Sequence, residues 1–382
     1  MKKIALLGCT GSIGKQVLEV VDRYPEEFKI ISLCCNKNAK LLEKQILKYK
    51  PAVAGLTSSE HAKDITALPS GTTLYTGENA LLHCVLQEAD VVVVAVVGFC
   101  GLAPVIQACK MGKTIALANK ESLVAGGEIV TNLAKQHGAN IIPIDSEHSA
   151  IWQCLHFNKT TPFKKIILTA SGGALRNLEI AELEKVTPAQ ALNHPNWDMG
   201  AKITIDCATM MNKGLEVMEA MWLFNCGLDK IQVVIHPQSI IHSMVEYADN
   251  AVISQLSNPS MDIPIQLALT NGERKPTATP ALDFNCLTLN FSAPDFNRYP
   301  CLKLALDCAK EGDNYPCALS GANEEAVNLF LQGKIKFTQI ASYVEYAVKN
   351  TKRLKPTYEN LAYTDGFARQ CVHYAYKEKK ID

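Results

Sequence analysis

Apolar residues along this chain fall into short unbroken runs, each closed by glycines or a polar cluster. Between the runs lie stretches with the three-to-four-residue beat of helices facing a core. Lys3-Ile4-Ala5-Leu6-Leu7 leads into Gly8-Cys9-Thr10-Gly11-Ser12-Ile13-Gly14 and then into the periodic Lys15-Gln16-Val17-Leu18-Glu19-Val20-Val21. Further runs lie at 28–35, 90–98, 114–118 and 141–144, and the valine-rich 90–98 is apolar on both faces. Continuous apolar strands alternating with helices predict a doubly wound parallel sheet. Downstream, 165–173 reads as a strand opening into a glycine loop. Residues 205–216 read as a strand end or turn entering a helix. Alternation at 241–245 predicts a strand with His242 and Met244 on one face. Residues 271–280 lose periodicity and read as linker. Beyond Pro300 the pattern is helical at 302–310, 321–332, 335–349 and 358–378, with Gly321-Ala322-Asn323-Glu324-Glu325 as a helix start carrying acids in its first turn. The expected fold class is α/β: a Rossmann-like domain over 1–144, a central α+β domain over 145–270, a linker over 271–299 and a helical bundle over 300–382.

Length supports this division, because 382 residues exceed one ordinary core. Lysines plus arginines equal the acids at 38 each, and this balance argues against nucleic acid or an anionic membrane surface and for small-molecule partners. No apolar run approaches the ~18 residues of a membrane span. The N-terminal run is too short for a secretory signal. Fourteen cysteines contain no C-x-x-C pair. The expectation is a cytoplasmic protein with free thiols.

Candidate chemistry collects where strands end, which is where open α/β sheets bind ligands. The turn 8–14 has the glycines of a dinucleotide site. The second strand ends in Asn36-Lys37-Asn38 rather than in the acid that holds a ribose 2′-hydroxyl. Lys37 is either a partner for the 2′-phosphate of NADP or an ordinary surface lysine. Asn119-Lys120-Glu121-Ser122 closes another strand. Asp145-Ser146-Glu147 closes 141–144; it is either a solvated turn with a helix cap or a carboxylate pair for a hard divalent cation such as Mg²⁺ or Mn²⁺. Ser171 lies in the glycine loop, as an anion contact or as part of a bare turn. Residues 194–200 contain Trp197, either packed down or serving as a lid face. Asn212, Lys213 and Glu216 share a helix face, as a surface ion pair or as a phosphate grip with a third carboxylate. His242 reads as structural or interfacial.

Taken together, the segments GCTGSIG at 8–14, ALANKES at 116–122, IDSEHSA at 144–150, HPNW at 194–197, ATMMNKGLE at 208–216 and IHPQSIIHSMV at 235–245 resemble the 1-deoxy-D-xylulose 5-phosphate reductoisomerase family over essentially the whole length. The resemblance implies an oxidoreductase of the non-mevalonate isoprenoid route. The ketose phosphate is rearranged, by retro-aldol cleavage and recombination in the favoured version, and the branched aldehyde is reduced to 2-C-methyl-D-erythritol 4-phosphate. It implies NADPH, Mg²⁺ or Mn²⁺ with Co²⁺ as a further candidate, a sugar phosphate substrate and a homodimer. Asp145, Glu147 and Glu216 match the metal ligands, and Lys120, Glu147, His194 and Glu216 the catalytic set. Ser146, Glu147, Ser171, His194, Trp197, Cys207, Asn212, Lys213 and Glu216 match substrate contacts. Thr10, Gly11, Ser12, Ile13, Asn36, Lys37, Asn38, Asn119, Glu121 and Gly200 match cofactor contacts.

Four positions depart from the family pattern. Cys207 stands where a serine is common, Asn36 where a glycine is, Ala174-Leu175 where Pro-Phe is, and 257–262 replaces Gly-x-Pro-Asp-Met-Arg. A thiol is the weaker donor, so the phosphate grip is expected to loosen. The rival readings are a simple NADP-dependent dehydrogenase, which leaves the carboxylates without a task, and a non-catalytic NADP-binding regulator.

Overall fold

The apolar runs become strands because continuous branched side chains suit a sheet buried on both faces. The computed structural model describes residues 1–156 and 162–381. Contacts divide it into two units: Met1–Ser122, Ile129–Ser149 and Met261–Ala278 form the first, and Leu123–Glu128, Ala150–Ser260 and Thr279–Asp382 the second.

In the first unit β1 (Lys2–Leu7), β2 (Phe28–Cys35), β3 (Val53–Leu56), β4 (Thr73–Thr76), β5 (Val91–Val94), β6 (Thr114–Leu117) and β7 (Asn140–Pro143) form one sheet, ordered β4-β3-β2-β1-β5-β6-β7. Every pairing is parallel. Ile4, Leu6, Leu7, Val92, Val93 and Val94 are wholly buried. The strand order reverses between β1 and β5, so a crevice opens there at the strands' carboxyl ends. Strands β3 (Val-Ala-Gly-Leu) and β4 (Thr-Leu-Tyr-Thr) escaped the sequence reading because a glycine in one and flanking threonines in the other break the branched apolar run that marked the equally short β5 and β6.

In the second unit β8 (Phe163–Ala170), β9 (Ile231–Ile235), β10 (Ile241–Tyr247) and β11 (Val252–Leu256) form a mixed sheet ordered β11-β10-β8-β9. β10 is antiparallel to both neighbours, and β8 is parallel to β9. Helices Pro300–Glu311, Tyr315–Leu331, Gln339–Asn350 and Tyr358–Lys377 complete the unit. One core joins Ala318, Phe330, Ile340, Val344 and Val372 of those helices to Ile205, Met211 and Leu215. The C-terminal helices therefore share a core with the central segment. The expected linker is tied down at both ends: Lys275 pairs with Glu27 at 2.6 Å in the first unit, and Ser292 pairs with Ile235 in the second. Helix Asp262–Thr270, expected with the central domain, lies in the first unit.

Two local expectations are corrected. Of the two alternatives for 205–216 the turn entering a helix is the one present, and the strand end is not: residues 205–208 end helix Ala201–Ala208, Thr209 and Met210 turn, and helix Met211–Leu223 follows. The β-branched residues there suggested a strand, but burial of Thr204, Ile205 and Ala208 follows a helical face. Helix Tyr315–Leu331 starts six residues before Gly321, with a proline in its first turn. Gly321 marks close packing instead, since a Cβ there would lie 2.6 Å from Asp365 Oδ1. Among the described residues no helix is long and apolar enough to cross a membrane.

Candidate active site

The turn after β1 is shaped by backbone that tolerates no side chain. Gly8 has φ +89°, and a Cβ on it would sit 2.2 Å from Ala95 O; one on Gly14 would sit 2.2 Å from Gly8 O. The amides of Gly8 and Cys9 both donate to Cys34 O, at 2.7 and 2.9 Å. Gly11 is the N-cap of helix Ser12–Arg23, and no side chain caps that helix. Its first-turn N–H groups and positive end suit a pyrophosphate, with Thr10, Ser12 and Ile13 around them. Asn36, Lys37 and Asn38 are exposed at the end of β2. Asn36 Oδ1 accepts from Thr57 Oγ1 at 2.9 Å, and Asn38 caps helix Ala39–Tyr49 through Leu41 N–H at 3.1 Å. Lys37 is thus held at the sheet edge by two engaged asparagines.

At the ends of β6 and β7 the polar residues are buried. Asn119 is wholly inaccessible. Its amide nitrogen donates to Val96 O at 3.0 Å, Gly98 O at 3.1 Å and Glu121 Oε2 at 3.0 Å, while its Oδ1 caps the next helix at Ser122 N–H. The bonds to Val96 and Gly98 fasten the loop after β5 to the start of helix Lys120–His137, and those with Glu121 and Ser122 hold that start in shape. Lys120 is ion-paired with Asp145 Oδ2. Both side chains of the pair are largely shielded from water, at 8% and 15% exposure. Asp145 and Glu147 bring carboxylate oxygens within 4.8 Å of each other. Ser146 Oγ donates to Glu147 Oε2 at 2.5 Å. A solvated turn does not describe this cluster, since Ser146 is 7% exposed and Lys120 6%. Two half-buried carboxylates this close, with one lysine beside them, fit a hard cation, which offsets the rest of their repulsion.

In the second unit β8 ends in the glycine loop. Gly173 has φ +75°, and a Cβ there would lie 2.5 Å from Ala208 Cα, so only glycine lets the loop close on Cys207 and Ala208. Ser171 Oγ accepts from Gly173 N–H at 3.1 Å and lies 2.9 Å from His194 Nε2. The N–H groups of Asn196 and Trp197 both point at His194 Nδ1, at 3.2 and 3.1 Å. Nδ1 is therefore the acceptor, and the proton sits on Nε2, donated to Ser171. Burial, with Arg176 as a second cause, pushes the His194 pKa below its ordinary value and favours this neutral form. With two donors on its oxygen, Ser171 keeps its own hydrogen for a ligand. Trp197 meets His242 edge-on, ring centres 6.0 Å apart.

Helix Met211–Leu223 opens from Met210 at φ +60°, with no side-chain cap. Asn212 Nδ2 donates to Glu216 Oε1, and Lys213 Nζ is paired with Glu216 Oε2. The expected shared face is present, but it is buried: Lys213 is 3% exposed and Glu216 0%. A surface pair worth a few tenths of a kcal/mol is excluded, because both charges are desolvated.

The relatives of this chain point one way. Models of 1-deoxy-D-xylulose 5-phosphate reductoisomerase match residues 4–127, of its C-terminal domain residues 141–224, and of a further DXP reductoisomerase C-terminal domain residues 256–371. The 1-deoxy-D-xylulose 5-phosphate reductoisomerase of Caldanaerobacter subterraneus subsp. tengcongensis is 49% identical, over 97% of this chain and 98% of its own. The enzyme of the same name from Desulforamulus reducens is 48% identical over 97% of each. The chain belongs to the 1-deoxy-D-xylulose 5-phosphate reductoisomerase family. Among solved members of that family, a reductoisomerase in complex with NADPH, fosmidomycin and magnesium superimposes with a TM-score of 0.94 at 37% identity, covering 100% of this chain and 99% of that one. The enzyme from Zymomonas mobilis in complex with NADPH gives 0.91 at 38%, covering 98% and 99%.

Family membership leaves several residues that sequence reasoning passed over. Arg176, whose guanidinium donates to Gly173 O at 3.3 Å, is one; a lone arginine after a glycine loop carries no signal until the loop is closed. Asp206 is another: it is 1% exposed, bridged by Asn323 at 2.7 Å and Lys202 at 2.9 Å. It anchors the helix bearing Cys207 to the C-terminal helices. Its partner lies 117 positions away, which no local pattern reveals.

Proposed function

We propose that this family member works through two clusters, one on each unit. The chain is an NADPH- and divalent-metal-dependent oxidoreductase converting 1-deoxy-D-xylulose 5-phosphate to 2-C-methyl-D-erythritol 4-phosphate in isoprenoid precursor biosynthesis. The observation that carries the residue assignment is the approach of Asp145 and Glu147 carboxylate oxygens to within 4.8 Å of each other at a site largely shielded from water. Asp145, Glu147 and Glu216 would hold Mg²⁺, with Mn²⁺ or Co²⁺ as substitutes. Such an ion, when bound, would supply Lewis-acid polarisation of the ketose carbonyl and a lower pKa for a neighbouring hydroxyl. The turn 8–14, Lys37, Asn119, Glu121 and Gly200 would hold NADPH, which would supply the hydride when bound; Lys37 is the candidate cation for its 2′-phosphate, and Asn119 holds the loop after β5.

The remaining roles belong to side chains of this chain. Lys120, held by Asp145, offers a cation at the oxygen end of the substrate, and Ser146 orients Glu147. Asn212, Lys213, the Ser171 hydroxyl and the Cys207 thiol grip the phosphate. That grip lets remote binding energy align the reacting carbons. His194, neutral, fixes the Ser171 hydroxyl, and residues 194–200 act as a lid with Trp197 excluding water. The division into 1–144 for cofactor, 145–270 for chemistry and dimerisation, 271–299 as connection and 300–382 for support is part of this proposal. So is a homodimer: β11 is an edge strand whose Val252 and Ile253 are 49% and 40% exposed, and such an edge invites pairing. Fourteen free cysteines support a cytoplasmic setting.

The test is NADPH oxidation with 1-deoxy-D-xylulose 5-phosphate, with Mg²⁺ and then with excess EDTA. Oxidation that needs both the sugar phosphate and the metal, yielding the branched product, is expected. Oxidation indifferent to EDTA would replace this reading with the simple dehydrogenase.

A further inference from the structure

The segment 235–245 supplies no group to the chemistry above, yet it receives the loop 194–200. Asn196 Nδ2 donates to Pro237 O at 2.7 Å and to Ser239 Oγ at 3.0 Å. Both acceptors sit on one turn, and that turn is preformed. Ser239 is held at φ +53°, a left-handed conformation uncommon for serine. His236 is wholly buried and fixes the turn from inside. Its Nε2 accepts from the N–H groups of Ile240 and Ile241, both at 3.2 Å, and its Nδ1–H donates to Asn290 O at 2.9 Å. Phe291 stacks on the ring at 4.8 Å. A strained residue persists only where its surroundings over-determine it, and here they do.

We propose that Asn196 is a positioning residue that latches the lid, and that the turn at 236–239 is its catch. The inference rests on reading 194–200 as the lid. The latch acts on the chemistry through His194. The backbone N–H groups of Asn196 and Trp197 are the two donors on His194 Nδ1, so the latched loop orients the imidazole that fixes Ser171. Two ordinary hydrogen bonds correspond to about 10-fold in the docking equilibrium of the loop.

The experiment pairs amide hydrogen exchange over the peptide spanning 192–200 with steady-state kinetics, on the full chain carrying Asn196→Ala, Asn196→Asp, Ser239→Ala or both alanines. Asn196→Ala is expected to speed exchange at the Asn196 and Trp197 amides about 10-fold. It is expected to lower kcat/KM for the sugar phosphate by a similar factor, with KM for NADPH within about 2-fold of wild type. Ser239→Ala is expected to do less, since the Pro237 bond survives. The double variant should be no worse than Asn196→Ala, because the two share one contact. Asn196→Asp, of the same shape but with an oxygen facing Pro237 O, should match Asn196→Ala, and it carries the test if the alanine variant fails to fold. Unchanged exchange at those amides, or an equal loss of NADPH affinity, overturns the latch. A wild-type protein with no turnover of this sugar phosphate would sink the proposed function, while the exchange measurement would still decide the latch.

Discussion

Replacing Lys213 with methionine isolates the electrostatics of the second unit's cluster. Methionine keeps most of the apolar stem and removes the charge. In the wild type Glu216 is wholly buried, with Asn212 on one oxygen and Lys213 on the other. The variant takes the Lys213 charge away from a desolvated carboxylate and leaves the neutral Asn212 donor on its other oxygen. Breaking a buried pair from one side costs about 3–5 kcal/mol. At about 2–4 °C per kcal/mol for a domain of this size class, the metal-free variant should melt about 6–20 °C lower. The uncompensated carboxylate should then attract the metal more strongly. A ligand at 100 times its Kd stabilises by about 2.7 kcal/mol, so Mg²⁺ should raise the variant's Tm by more than the wild type's. The assay is thermal unfolding followed by far-ultraviolet circular dichroism, with EDTA or with excess Mg²⁺. A variant within about 0.5 kcal/mol of wild type, as for an ordinary surface change, would refute the reasoning. So would equal Mg²⁺ increments in the two proteins, because the carboxylate would then be neither dependent on Lys213 nor a ligand.

Glu147→Gln removes a proposed metal ligand and should reduce turnover by at least about 100-fold while leaving NADPH affinity in place; fluorescence titration with NADPH and the coupled rate separate the two. Cys207→Ser restores the stronger donor and should lower KM for the sugar phosphate a few-fold, as read from initial rates; an unchanged KM would remove Cys207 from the phosphate grip. Gly8→Ala places a Cβ 2.2 Å from Ala95 O at φ +89°, so weakened NADPH binding and a lower Tm are expected together. Because burial and Arg176 lower the folded pKa of His194, its neutral form contributes stability that is present above the unfolded value near 6.5 and lost as pH falls through the folded value. Exchange protection of the Asn196 and Trp197 amides should fall as pH drops through the folded value, since a protonated Nδ1 accepts nothing from them; protection that persists after the imidazole itself has protonated, followed by its ring-proton NMR shifts, would contradict Nδ1 as the acceptor.

The strands whose cores are continuous runs were legible from composition alone. Ile4 to Leu7 and Val91 to Val94 have no polar residue to expose, so a two-faced parallel sheet is the one place they fit. The turn 8–14 and the polar clusters at 119–122 and 145–147 were legible for the same reason: a sheet's apolar run must stop somewhere, and the residues just beyond its end lie at the ligand-binding edge. The pairing of Lys120 with Asp145, 25 positions on, was not legible. Neither was the order that sets β1 beside β5, nor the burial that turns Lys213 and Glu216 from a surface pair into a desolvated one. The strand end expected near 205 failed because β-branched residues sit in helix Ala201–Ala208, where burial against the C-terminal helices outweighs their intrinsic preference. Gly321 failed likewise, a close approach to Asp365 rather than a helix start. Local chemistry is written in adjacent residues, and adjacency is what a sequence records. The tautomer of His194, the catch at Ser239 and the shielded Lys120–Asp145 pair depend on which distant groups arrive and how much water they exclude, and only the folded chain decides those.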